Sequence, residues 1–392
     1  MNEKKTNTLQ NISLFFGEIT EQLFYQLREL ITITLQFLKK QLIDVSDHPN
    51  LKYYFSQINI KEVDKNLEDI HHFSKESLLK LLFTYSEFLT NIIEFLKPLE
   101  PSLINSLFKD IYIPSLFSDT LLKEKSFDVY IKSKNRILTE ENIIYKIDNS
   151  LYNNICFLFP SLISDESTWE NNKDNQYSID NLLIQKNIFP IKFQLNPTIT
   201  LQENTEIVFQ KIKTILNHLE KNNKQFYFIA FSTGNYIVRS LLFHYNHFFH
   251  NKLKQIVMIN SPELGLRLER FIFWAGLGYQ YDPVTSLKLL RILTDKRFKI
   301  FNEFDNCFLF QKDFISREIG IIKTYHIIKI YSLITENNSI WSPWLGDGFI
   351  EESSLSFYDD IISEKNIFLL NGISHLQILT SPELKNILNQ IF

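Results

Sequence analysis

The sequence predicts a mostly parallel, doubly wound α/β domain behind a helical N-terminal region. Three observations predict it. Apolar residues recur at spacings of three and four through about residue 125. Beyond that point come short continuous apolar runs. Segments of helical period fall between those runs, and strand–helix alternation of this kind makes a sheet with helices on both faces.

In the first region Ile12, Phe16, Ile19, Leu23, Leu27 and Leu30 share one helix face. Val63, Leu67 and Ile70 repeat the spacing, as do Leu78, Leu81, Tyr85, Phe88, Ile92 and Phe95. Pro98 and Pro101 end the last of these segments. The polar faces carry both charge signs, which favours a bundle packed on the rest of the protein over an amphipathic membrane-surface element. Near residue 126, Phe127, Val129 and Ile131 alternate with Asp128, Tyr130 and Lys132, the pattern of a short strand. Ile155 to Phe159, Phe226 to Ala230 and Gln255 to Asn260 are runs suited to strands buried on both faces. Glu203 to Leu219 reads as a helix between two of them, with Ile207, Ile212, Ile215 and Leu219 on one side.

At 392 residues the chain is long enough for two domains. We expect a helical region over 1–125 and an α/β domain over 126–392. With 41 Lys+Arg against 45 Asp+Glu, no basic surplus marks a nucleic-acid binder. The 2 cysteines, Cys156 and Cys307, cannot build a disulfide framework or a four-ligand zinc site, and they suit a reducing compartment. No stretch reaches the ~18 apolar residues of a membrane span. The run from Ile12 to Phe16 is too short for a signal-peptide core. The expectation is a cytoplasmic protein, with peripheral membrane contact left open.

The chemistry-bearing pattern starts at Phe226-Tyr227-Phe228-Ile229, which runs into Ala230-Phe231-Ser232-Thr233-Gly234 and then a helix. A strand, a tight turn with a central Ser and a helix together make a nucleophile elbow. The residues two before and two after the Ser must be small, and Ala230 and Gly234 are. The turn exposes the hydroxyl at a helix N-terminus, where the Thr233 N–H can face a developing oxyanion. Such an elbow requires an acid and then a His, each after a later strand. Asp347 sits between Gly346 and Gly348 after the strand Tyr325 to Leu333. His375 follows the strand Ile367 to Leu370 and Asn371-Gly372-Ile373-Ser374. A final helix opens at Ser381-Pro382, a good cap and first-turn pair. His326 lies inside a strand, and His244, His247 and His250 drift around a helix, so they suit the role of base less well. Glycine is scarce, with 9 in the chain, yet Gly234, Gly265, Gly346, Gly348 and Gly372 all fall in these loops.

Over about residues 127–392 these features resemble the α/β-hydrolase superfamily, in its bacterial lipase and esterase-like branch. Ile155 to Leu162, with Trp169 following, resembles that family's first strand and oxyanion loop. Asn260-Ser261-Pro262-Glu263-Leu264-Gly265 resembles its turn after the next strand. Gly346-Asp347-Gly348 with Ser353-Ser354 resembles its acid loop, and Gly372 to His375 its base loop. The resemblance implies a Ser232, Asp347 and His375 triad, oxyanion donors at the Leu162 and Thr233 amides, and no metal or cofactor. Its usual His-Gly pair is replaced by Pro160-Ser161, its elbow Gly by Ala230 and a frequent His by Phe231.

The implied chemistry is cleavage of a carboxylic ester, lipid-like or another small molecule, through an acyl-enzyme. Residues 266–323 form an insertion with Phe271, Phe273, Trp274, Tyr279 and Tyr281, read either as a cap over an apolar acyl chain or as packing of extra helices. Phe231, Phe271, Trp274 and Trp344 are the candidate pocket residues. Two other readings stay open: an acyltransferase on the same scaffold, and a non-catalytic binding module that uses the helical region as its interaction surface.

Overall fold

The computed structural model describes most of residues 129–267 and 298–335, all of 345–392, the helix 60–68 and single positions between 25 and 90. The chain divides into two units, one of Met1–Pro101 with Glu269–Thr294 and one of Ser102–Leu268 with Asp295–Phe392. Part of the expected cap thus groups with the N-terminal region.

In the first unit, helix Ile60–Glu68 buries Ile60, Val63 and Leu67 along one face, as the spacing requires. Ile31, Leu35 and Leu81 are also buried there. Ile70 and the other apolar positions named above for residues 1–125, apart from Val63, Leu67 and Leu81, lie outside the described residues. Among the described residues no helix is long and apolar enough to cross a membrane.

The second unit is built on an eight-stranded sheet. In chain order come β1 (Tyr130–Ser133), β2 (Arg136–Leu138), α1 (Glu140–Asp148), β3 (Asn154–Phe159), α2 (Ile179–Gln185), β4 (Ile188–Gln194), α3 (Leu201–Lys221) and β5 (Phe226–Phe231). Then follow α4 (Gly234–Phe249), β6 (Leu253–Ile259), α5 (Lys312–Ile322), β7 (Ile327–Leu333), β8 (Ile367–Asn371) and α6 (Pro382–Ile391). The spatial order is β2-β1-β4-β3-β5-β6-β7-β8. The strands from β4 to β8 run parallel, and β1 joins β4 antiparallel through a hairpin with β2. The alternation around Phe127 marks this hairpin, whose first strand begins at Tyr130; Phe127 itself is outside the described residues.

Side chains leave the central strands alternately to two apolar layers. On one side Phe157, Phe159, Phe193, Phe226, Phe228 and Phe249 interlock, with Phe159 stacked on Phe193 at 5.2 Å between centroids. On the other, Cys156, Leu158, Ile229, Phe231 and Ile259 meet Leu182 and Leu183 of α2 and Leu384 and Leu388 of α6. Helix α6 begins as the sequence indicates, with Ser381 Oγ accepting from Leu384 N at 3.1 Å and Pro382 in the first turn. Helix α5, inside the 266–323 insertion, lies between β6 and β7 in the chain and packs on α4.

The strand ends are in register: Phe159 opposite Ala230, Phe231 opposite Ile259, Ile259 opposite Ile330 and Leu333 opposite Asn371. The loops after β3, β5, β6, β7 and β8 therefore leave one edge of the sheet together. Ligands of open α/β sheets bind at this carboxyl edge.

Candidate active site

Ser232 directly follows β5. Its φ is 52°, in the left-handed region that costs a non-glycine residue roughly 1–3 kcal/mol. Ser232 N–H donates to Ile259 O at 2.9 Å, and the Asn235 side-chain amide donates to Ser232 O at 2.9 Å. These bonds hold the turn. Gly234 is required here by space: a Cβ would lie 2.3 Å from Pro160 O and 2.4 Å from Phe159 O. The elbow is thus pressed directly onto the loop after β3.

Gly346 and Gly348 take φ of 55° and 102°, so the backbone can bend on both sides of Asp347. Asp347 Oδ1 accepts from Phe349 N at 2.9 Å and Ile350 N at 2.8 Å, which leaves Oδ2 to the base. His375 N–H donates to Asp347 O at 2.8 Å, joining the acid and base loops. The side chains then form one line: His375 Nδ1 is 2.5 Å from Asp347 Oδ2, and His375 Nε2 is 2.9 Å from Ser232 Oγ. The carboxylate partner assigns the ring proton to Nδ1, so Nε2 accepts from the Ser232 hydroxyl. Ser232, His375 and Asp347 are 2%, 5% and 0% exposed, so the line is shielded from bulk water.

The other expected residues are placed as follows. Leu162 and Thr233 are both buried beside the elbow, but Leu162 N–H donates to Thr233 Oγ1 at 3.0 Å, and Ser161 Oγ lies 2.8 Å from the same oxygen. Phe231, expected to line the pocket, is fully buried in the apolar layer, its ring 5.0 Å from the imidazole. Its place in the strand turns it inward, so it supports the base. Phe271, Trp274 and Trp344 lie outside the described residues. His244, His247 and His250 are exposed, and His326 precedes β7 and gives its carbonyl to Ile256 N.

Two residues were missed. Phe349 faces the imidazole from the other loop, with ring centroids 5.4 Å apart. Asn260, at φ 42° after β6, donates from Nδ2 to Ser332 Oγ at 3.0 Å and to His375 O at 3.3 Å, and accepts from Ser332 N at 2.8 Å. An Asn just past a buried strand is a signal for such a left-handed position. Around them sits a buried charge network. Lys329 Nζ lies 2.8 Å from Glu263 Oε2 and 2.6 Å from Asp359 Oδ1, and Arg239 forks onto Glu318 at 2.7 and 2.8 Å. Burial pushes the Glu263 carboxyl up to about 7 against the pull of Lys329. Burial, the largest single influence, would depress the Arg239 guanidinium, but Glu318, Tyr358 and Glu263 together hold it above its ordinary value. Among the described residues, no group of three or more His, Cys, Asp or Glu side chains could hold a metal ion.

The parallel order β4-β3-β5-β6-β7-β8, with a turn of this geometry after β5, is the α/β-hydrolase fold. No family model matches the sequence, and no curated protein does. Among solved structures, the chain is similar to the mature form of the lipase BlEst2 of Bacillus licheniformis. That likeness is at 14% identity, over 62% of this chain and 93% of the other, with a TM-score of 0.42. The Pyrococcus furiosus esterase PF2001 is 12% identical over 61% of this chain and 81% of its own, with a TM-score of 0.39. A soluble variant of monoglyceride lipase from Saccharomyces cerevisiae, in complex with a substrate analog, is 8% identical over 61% and 85%, with a TM-score of 0.40.

Proposed function

We propose that the chain is a serine hydrolase that cleaves carboxylic esters through an acyl-enzyme. The observation that carries the reading is the buried hydrogen-bonded line from Asp347 through His375 to Ser232, at 2.5 and 2.9 Å. On attack, a bond forms between Ser232 Oγ and the ester carbonyl carbon, the hydroxyl proton passes to His375 Nε2, and the carbonyl oxygen takes the charge. Asp347 steadies the imidazolium and fixes its orientation. When the intermediate collapses, the bond to the alcohol breaks and the alcohol leaves with the proton from Nε2. Water then attacks the acyl-enzyme with His375 again as base, and Ser232 recovers its proton.

The acyl group is proposed to be apolar, on the aromatic content of residues 266–323 and of Trp344. A cytoplasmic setting accords with two cysteines that are both buried and unpaired. The engagement of Leu162 N–H by Thr233 Oγ1 favours a second reading, a binding module with an occupied oxyanion site.

A fluorophosphonate probe separates the two. Labelling of the wild type that vanishes in Ser232→Ala is the expected result, because the probe reports an activated serine. A well-folded wild type that does not label, with or without detergent, would sink the hydrolase reading in favour of the binding module. Product analysis with added alcohols or amines then distinguishes water from another acyl acceptor.

A further inference from the structure

An ester hydrolase of this fold needs two donors for the oxyanion, and the amides of Leu162 and Thr233 are the expected pair. In the folded chain one of them is already used. Leu162 N–H donates to Thr233 Oγ1 at 3.0 Å. That oxygen shares a second hydrogen bond with Ser161 Oγ at 2.8 Å, and all three residues are buried.

A proton count shows what the cluster has left to give. It holds one amide proton and two hydroxyl protons. The amide proton lies on Thr233 Oγ1. One hydroxyl proton lies between the two hydroxyl oxygens, whichever of them donates. The other hydroxyl proton has no role within the cluster. The place of the cluster is set by the chain: Thr233 follows Ser232, and Pro160 O would meet a Gly234 Cβ at 2.3 Å, so Ser161 is held against the elbow. A hydroxyl that already accepts an N–H is polarised and donates more strongly, since bonds in a chain reinforce one another.

We propose that the second oxyanion donor is a hydroxyl of the Ser161–Thr233 pair, with the Leu162 amide acting behind it. The inference rests on the serine-hydrolase reading. The Thr233 amide remains the first donor. Leu162 is then a positioning residue that polarises the pair without touching the oxyanion. Ser161 also gains a task that a glycine at its position could not perform, because glycine has no proton to supply beyond its own amide.

The test is hydrolysis of p-nitrophenyl butyrate by the full chain, with the rate of fluorophosphonate labelling as a second readout. Thr233→Val keeps the side-chain shape, removes the hydroxyl, frees the Leu162 amide and takes from Ser161 Oγ the partner that holds and polarises it, so neither hydroxyl of the pair stays in place. Its kcat and labelling rate are expected to fall about 100-fold, the loss of one oxyanion donor, with KM within about twofold. Thr233→Ser, which keeps the hydroxyl, recovers most of that loss, and this rescue separates a donor from a packing defect. Ser161→Ala leaves one hydroxyl still polarised by Leu162 and falls less than Thr233→Val. A Thr233→Val protein with kcat equal to or above wild type overturns the proposal, for the freed Leu162 amide would then be the donor and Thr233 only its cover. Failure of Thr233→Ser to restore the rate overturns it as well. A wild type that neither turns over nor labels fails earlier, at the hydrolase reading itself.

Discussion

Gly234→Ala tests the contact on which the whole site rests. The added Cβ would lie 2.3 Å from Pro160 O, 2.4 Å from Phe159 O and 2.9 Å from Phe159 C. Close C···O approaches in proteins are roughly 3.3 Å or longer, so one backbone must retreat by about 1 Å. Neither can do so easily. Phe159 ends β3 and stacks on Phe193, and Gly234 opens a helix whose next residues, Asn235 to Leu242, are all buried. Overpacking costs about 1–3 kcal/mol, and the clash with backbone on both sides puts this case at about 3. Alanine returns up to about 1 kcal/mol of helix propensity. The net loss is about 2 kcal/mol, or about 4–8 °C in Tm at the usual slope for domains of this general size. Ser232 shifts with the turn, and a misplacement of ~1 Å lowers the reaction rate by about 10². Urea unfolding followed by circular dichroism reads the first number, and fluorophosphonate labelling the second. A variant as stable and as quickly labelled as wild type would refute the packing of elbow on loop.

Ser232→Gly should abolish labelling yet raise the urea midpoint by about 1 kcal/mol of stability, because glycine takes a φ of 52° without strain; a lower midpoint would show that the turn stores none. Asp347→Asn keeps a carbonyl oxygen for Phe349 N and Ile350 N, so the melting curve should barely move while kcat falls by about 10⁴. Equal losses in both would make Asp347 a structural residue. Glu263 gives a pH signature. Its carboxyl stands at about 7 against an ordinary 4.5, so between those values the folded chain holds a proton that the unfolded chain has released. The contribution is full below the lower value and is lost as pH rises through the upper one. The stability of wild type relative to Glu263→Gln should therefore decline from pH 5 to pH 8, and a constant difference over that range would contradict the raised value.

Much of the second unit was legible because its signals are local. Ile155 to Phe159 and Phe226 to Ala230 are strands because continuous apolar runs can only be buried on both faces, and the glycines around Asp347 mark a bend that other residues resist. Strand β4 was not legible, since Pro190 and Lys192 interrupt its run. Pairing with β3 on one side and β1 on the other covers the strand, and Lys192 meets Asp180 of α2 at 3.0 Å, so a charge reads as buried only once α2 is in place. For residues 266–323 the cap and the packing of extra helices both stayed open because a crossover helix and a lid helix share one apolar period; within that span α5 packs on α4. Phe231, next to the nucleophile in sequence, ends β5 with its side chain in the apolar layer against the imidazole, a placement that only the packing of the base loop makes visible.

What the sequence could not carry is how the loops are fixed to one another, because each tie joins residues far apart in the chain. Asn260 links the end of β6 to Ser332 on β7 and to the carbonyl of His375. Ser354 accepts from Leu264 N at 3.0 Å and donates to Gly265 O at 3.0 Å, which fastens the segment after Asp347 to the turn after β6. Glu263 in that turn accepts from Tyr358 N at 2.8 Å, and Tyr358 Oη meets both Arg239 and Glu318. Ion pairs buried this deeply are weak sources of stability, because desolvation offsets most of the attraction. What they supply here is position. A carboxylate with a backbone partner at Tyr358 and a paired lysine has few alternative placements, so β7, α4, α5 and the chain beyond Asp347 are held in one mutual arrangement. A line of hydrogen bonds at 2.5 and 2.9 Å tolerates little more movement than that.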